Sequence, residues 1–127
     1  MIGREQRLAA SQSRKRWIAF FNKAQGSLIV DDGARRAICE KGTSLLPAGI
    51  RQVEGTFSIG ALVNVRDAAG VIIARGLTEY ASDDIRVIMG HKTQEIAALL
   101  GAKDYDEVIH RDHMLVMRPT HETRTPV

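Results

Sequence analysis

Apolar residues are spaced along this chain in two rhythms, short runs and alternations in some stretches and helical steps in others. Ser27 to Val30, SLIV, is a short apolar run that reads as a buried strand, and Asp31 and Asp32 behind it offer an N-cap. Ala34, Ala37 and Ile38 then fall at i, i+3 and i+4, one apolar helix face, with Arg35, Arg36, Glu40 and Lys41 mostly on the other. Gly42 stands where a helix ends on a left-handed residue, a conformation glycine adopts at least cost. The predicted opening unit is a strand, a tight turn at Gly33 and a short helix.

The middle of the chain is richer in strands. Pro47 and Gly49 mark a turn, Ile50 to Val53 extends, and Gly55 and Gly60 bracket a second turn around Phe57 and Ile59. Ala61 to Arg66 places Val63 and Val65 on one face at period two. Asp67 to Gly70, DAAG, is a four-residue hairpin loop, and Val71 to Ala74 returns as its partner strand. Gly76 permits a bulge or the close approach of another segment. Ser82 is expected to cap a helix carrying Ile85, Ile88 and Met89 and stopped by Gly90. Thr93 is expected to cap another, carrying Ile96, Leu99 and Leu100 and stopped by Gly101. A last strand is predicted over Val108 to Met117. The sum is an α+β fold, mainly β: short mixed strands curled into a small barrel, with two or three short helices.

Composition narrows the class. With 127 residues, 44% hydrophobic and 26% charged, the chain is expected to be one globular domain with a core of its own. No apolar run approaches the roughly 20 residues a membrane-spanning helix needs, and the opening stretch lacks the apolar centre of a signal peptide, so a cytoplasmic protein without a membrane partner is expected. The single cysteine, Cys39, can neither close an internal disulfide nor hold a structural zinc alone.

The formal charge of +3 is unevenly spread. Residues 1–23 hold six basic residues against Glu5, whereas the chain from Ala24 onward holds twelve basic residues against fourteen acidic. Any affinity for nucleic acid that comes from bulk charge therefore belongs to the leading segment, not the body. That segment also carries Trp17, Ile18, Phe20 and Phe21, an apolar cluster with polar flanks that is expected to pack on the domain. The chain thus divides into a basic linker and anchoring segment over 1–23, a folded body over 24–117 and a flexible tail over 118–127.

Motifs that could carry chemistry are incomplete. His110-Arg111-Asp112 resembles the catalytic loop of protein kinases, but that loop needs Asn five residues after its Asp, where Met117 stands. Placed on a strand, His110 and Asp112 share a face while His113 points away, too few ligands for zinc. Gly90-His91-Lys92-Thr93 resembles the end of a phosphate-binding loop without its glycine cradle, and a helix stop followed by a helix cap accounts for the same residues. Cys39 has no histidine near it in sequence and reads as a small hydrophobe. The residues assemble neither a catalytic nor a metal site.

Longer strings carry a resemblance. GSLIVDDGARRAICEKGTSLLPAGI, VEGTFSIGALVNV, IARGLTEYAS and EVIHRDHMLVM, in this order and spacing, resemble the PUA domain at the C-terminal end of bacterial glutamate 5-kinases. The likeness runs over nearly all of Arg14 to Met117, and REQRLAASQSRKRWIAFF before it is similar to the linker of those enzymes. The resemblance implies a PUA-like pseudobarrel over 24–117. It also implies a non-catalytic accessory module whose partner is a kinase domain of the same chain, within an enzyme that can be homo-oligomeric. Such enzymes use ATP and magnesium to phosphorylate the side-chain carboxylate of glutamate, the first step of proline synthesis, and proline inhibits them. Their catalytic residues and cofactors belong to the kinase domain, so none is assigned to this stretch.

The same resemblance implies an alternative, an RNA-binding module. PUA domains of RNA-modifying proteins use the first helix, the glycine-rich turn after it and the last strand. Here those positions are Gly33, Arg36, Lys41, Gly42, Thr43, Ser44 and Arg111. Asp31, Asp32, Glu40 and Asp112 share that neighbourhood and oppose phosphate contact.

Overall fold

The computed structural model describes residues 23–117. The expected linker over 1–23, all but Lys23 of it and so including Trp17, Ile18, Phe20 and Phe21, and the expected tail over 118–127 lie outside the described residues. Strand β1 (Gly26–Val30) leads into helix α1 (Asp32–Lys41), and a 3₁₀ turn at Pro47–Gly49 opens β2 (Ile50–Glu54). Strands β3 (Leu62–Arg66) and β4 (Ile72–Leu77) form a hairpin, followed by α2 (Ser82–Ile88), a 3₁₀ turn at Thr93–Glu95, α3 (Ile96–Leu100), a 3₁₀ turn at Arg111–His113 and β5 (Met114–Val116). They build one mixed sheet in the order β2-β1-β3-β4-β5, with β1 and β3 parallel and every other pair antiparallel.

Alternation along the strands sends Leu28, Val30, Val63, Val65 and Ala74 to one face, where they meet Ile38, Ile85, Ile88 and Ile96 from the helices, all essentially without exposure. Burial of each of these larger side chains is worth roughly 1.5–3 kcal/mol, so the helices are held by this contact more than by their own short length. An isolated bridge between Leu45 and Ile109 ties the segment after α1 to the segment before β5. The DAAG loop forms as expected: Gly70 N–H donates to the Asp67 carbonyl, and the Asp67 side chain accepts from the N–H groups of Ala69 and Val71.

Four local expectations are corrected. Gly33 makes no turn; it is the second residue of α1, because Asp31 has already taken the capping position and accepts the Ala34 N–H at 2.8 Å. Ser82 does not cap α2. Its hydroxyl is buried, accepts the Phe57 N–H at 3.0 Å and donates to the Phe57 carbonyl at 3.2 Å, satisfying a loop 25 residues away. Thr93 yields the N-terminal position to Lys92, whose N–H is taken by the Glu95 carboxylate at 2.7 Å. Finally, the long last strand is broken: Arg111–His113 is a 3₁₀ turn with the His110 ring accepting the Asp112 N–H at 3.0 Å, and only Met114–Val116 is strand. A side-chain acceptor two residues back competes with the ladder for that N–H.

Candidate functional site

Helix α1 and the segment that follows it enclose a groove of about 280 Å³. Its floor is apolar, with Ala34, Ala37, Ile38 and Leu45, and its rim carries Asp31, Thr43 and Ser44. The groove exists because α1 stops abruptly. Gly42, at φ 67°, turns the chain out of the helix, and the N–H groups of Gly42 and Thr43 satisfy the carbonyls of Ile38 and Ala37. The chain then runs back past the helix start, where Asp31 N–H donates to the Gly49 carbonyl at 2.9 Å.

The seven residues expected to form a face are brought only partly together. Gly33, Thr43 and Ser44 line the groove, and Gly42 sets its end. Arg111 joins through its backbone: its N–H donates to the Ser44 hydroxyl at 2.8 Å, which fixes the last segment against this rim. Arg36 and Lys41 do not line the groove. Arg36 instead lies 3.2 Å from Asp32, which also holds Arg35 at 3.0 Å, and that hydrogen bond raises the Arg35 pKa above its ordinary value. Asp31, besides capping α1, faces Arg51 at 3.7 Å. The acidic pair at the helix start is thus engaged with cations of its own surface, and these exposed pairs are worth little energetically while they neutralise the patch locally.

Sequence reasoning missed the apolar floor. A signal existed: a Cβ on Gly49 would lie 2.5 Å from the Ala34 Cβ, so this glycine and the alanines of α1 are small because the backbone passes close to the helix. Of the incomplete motifs, Cys39 is half-buried and packed against the core, as expected of a small hydrophobe. Among the described residues no group of three or more His, Cys, Asp or Glu side chains is placed to hold a metal ion, and no helix is long and apolar enough to cross a membrane.

Comparison with known proteins adds what geometry cannot. Residues 26–100 match the family described as "PUA domain". The chain belongs to the PUA domain family. It is 53% identical over 112 residues to glutamate 5-kinase of Syntrophus aciditrophicus, which covers 88% of this chain but 29% of that protein. It is 54% identical over 104 residues to glutamate 5-kinase of Oleidesulfovibrio alaskensis, covering 82% of this chain and 27% of the other. The chain therefore spans less than a third of the length of these relatives. A PUA domain from Aeropyrum pernix K1 has a similar fold, with a TM-score of 0.52 at 24% identity over 70% of this chain and 42% of that one. The mainly β architecture expected from the sequence is thus that of a PUA domain.

Proposed function

We propose that this PUA domain is the non-catalytic accessory module of a glutamate 5-kinase. In this reading a kinase domain of the same chain binds ATP and magnesium and phosphorylates the glutamate side chain, in a cytoplasmic and homo-oligomeric enzyme. The PUA domain tunes assembly or feedback inhibition by proline. One observation carries it: identity above 50% runs through 88% of this chain yet occupies only 29% of the relative, so what is shared with those kinases is this module. Phosphoryl transfer depends on positioned phosphate donors and charge neutralisation. The residues here that resemble phosphate motifs are engaged in local turns, Lys92 with Glu95 and His110 with Asp112.

The test is a chimera. The Syntrophus aciditrophicus enzyme is made with this chain in place of its matching segment, and also with that segment deleted. Glutamate-dependent ADP release, proline inhibition and oligomeric state are then measured for both and for this chain alone. The expected result is no turnover by the chain alone, and a chimera that differs from the deletion in inhibition or assembly. Turnover by the chain alone, or a chimera indistinguishable from the deletion, overturns the reading.

A second reading, RNA binding at the groove, is favoured by the Arg111–Ser44 bond, which gathers the last segment, Thr43 and Ser44 on one rim beside Lys41. Affinity for a short RNA across a salt series separates the two. Under the accessory reading, neutralising Arg14, Lys15 and Arg16 abolishes binding and its salt slope, whereas replacing Arg36 and Lys41 leaves both. The reverse result places RNA on the surface of α1 that carries Arg36 and Lys41, outside the groove itself.

A further inference from the structure

We infer that the outer face of the sheet, at Leu62, Leu77 and Leu115, is the docking surface for the chain's own segment Trp17–Phe21. Cross-strand pairing fixes that face. Leu62 is opposite Leu77, Asn64 is opposite Arg75, and Arg75 is opposite Leu115, so all five side chains leave the sheet on one side. The neighbours Val63, Val65 and Ala74 leave on the other and join the core. A leucine turned away from the core is ordinarily exposed. Leu62 is only 3% exposed, yet it takes no part in the core cluster, and Ser27, in the same cross-strand row as Asn64, is 6% exposed. Cover on this face therefore comes from outside the core.

The connection is short enough to supply it. Gln25 N–H donates to the Leu62 carbonyl at 2.7 Å, which brings the incoming chain to this end of β3. Phe21 is four residues earlier and reaches up to about 14 Å from Gln25, whereas β3 and β5 are separated by roughly 10 Å, two strand spacings. The chemistry also fits. Arg75 donates to Asn64 at 3.1 Å and Arg66 to Ser27 at 3.2 Å, so polar groups on this face are engaged and present guanidinium planes beside leucines. Aromatic rings stack on such planes and cover such leucines. Trp17, Ile18, Phe20 and Phe21 bring the only tryptophan and two of the three phenylalanines of the chain.

Trp17, being the sole tryptophan, reports on this directly in the complete chain, and the readout is independent of any kinase activity. The expected emission is blue-shifted and shielded from acrylamide. Leu77→Glu or Leu115→Glu moves it toward that of tryptophan in water and raises the quenching constant, while Leu46→Glu, at an exposed leucine by the groove, leaves it unchanged; circular dichroism verifies that each variant is folded. Should a sheet variant fail to fold, a benzophenone photocrosslinker at position 21 of the otherwise unaltered chain is expected to label β3–β5 peptides. The inference is overturned by a water-like Trp17 emission in the folded parent, by a response to Leu46→Glu alone, or by labelling of α1 instead of the sheet. It is equally overturned by a blue shift that vanishes on dilution as a dimer dissociates, which would make a second copy the occupant.

Discussion

At the end of α1 the chain passes through Gly42 at φ 67°, and a Cβ built there would meet nothing within 4 Å. In the middle of β4 the opposite holds: Gly76 has an ordinary strand backbone, but a Cβ there would lie 2.7 Å from Ile109 Cγ2, 2.8 Å from the His113 carbonyl and 3.3 Å from the Met114 Cα. The first glycine answers a dihedral requirement set by its own helix. The second answers a space requirement set by chain more than thirty residues away. One is a local rule that any helix of this kind meets, and the other exists only once β5 has docked on β4.

Breaking the crowded site is expected to have the largest effect. Gly76→Val should cost about 3 kcal/mol, since two of the three close atoms are backbone and cannot move aside without shifting β5; urea unfolding of the domain measures it, and an unchanged midpoint would refute the close approach. Gly42→Val meets open space and should cost about 1–2 kcal/mol, the price of a left-handed conformation for a residue with a branched Cβ. A Gly42→Val loss equal to or larger than that of Gly76→Val would invert the comparison.

Asp31→Ala sharpens it from the other end of α1. Losing the cap on Ala34 N–H should cost about 1 kcal/mol, read as a lower thermal midpoint. In contrast, Gly33→Ala, within the first turn and with its nearest foreign atom 3.6 Å from the new Cβ, should stabilise by up to about 1 kcal/mol. A loss there would restore the turn expected at that glycine.

The smallest effect is electrostatic. Glu95 accepts the Lys92 N–H, and this hydrogen bond lowers its pKa below the ordinary glutamate value, with His91 adding a weaker attraction. A carboxylate lowered in the folded state stabilises fully above its unfolded pKa, near about 4.3, and that contribution is lost as pH falls through the folded value. Glu95→Gln should therefore lower neutral stability slightly and flatten the acid limb below about pH 4.5 by that same small amount, parent and variant converging in acid; parallel acid limbs for the two would contradict this.

The candidate site was legible to the extent that it is local. Asp31 as cap, Gly42 as stop and the Ala34, Ala37 and Ile38 face were visible because caps and helical spacing act within one or two turns. From these the rim residues Thr43 and Ser44 followed through likeness to PUA domains. That Arg36 faces Asp32 and not the groove was not legible, since a charge at i+4 competes with any ligand in a way spacing alone does not rank. The contact of Arg111 with Ser44 spans 67 residues and has no sequence signature.

By itself the sequence determined the first three strands and, among the described residues, the three helices within a residue or two, together with the DAAG hairpin and the family, because hydrophobic period, caps and turn residues act over short stretches. Tertiary structure alone decided the parallel pairing of β1 with β3, the sheet order and the use of the Ser82 hydroxyl to hold Phe57. Each of these satisfies a backbone group or fills a space that chain distant in sequence creates, so no local preference could have announced it.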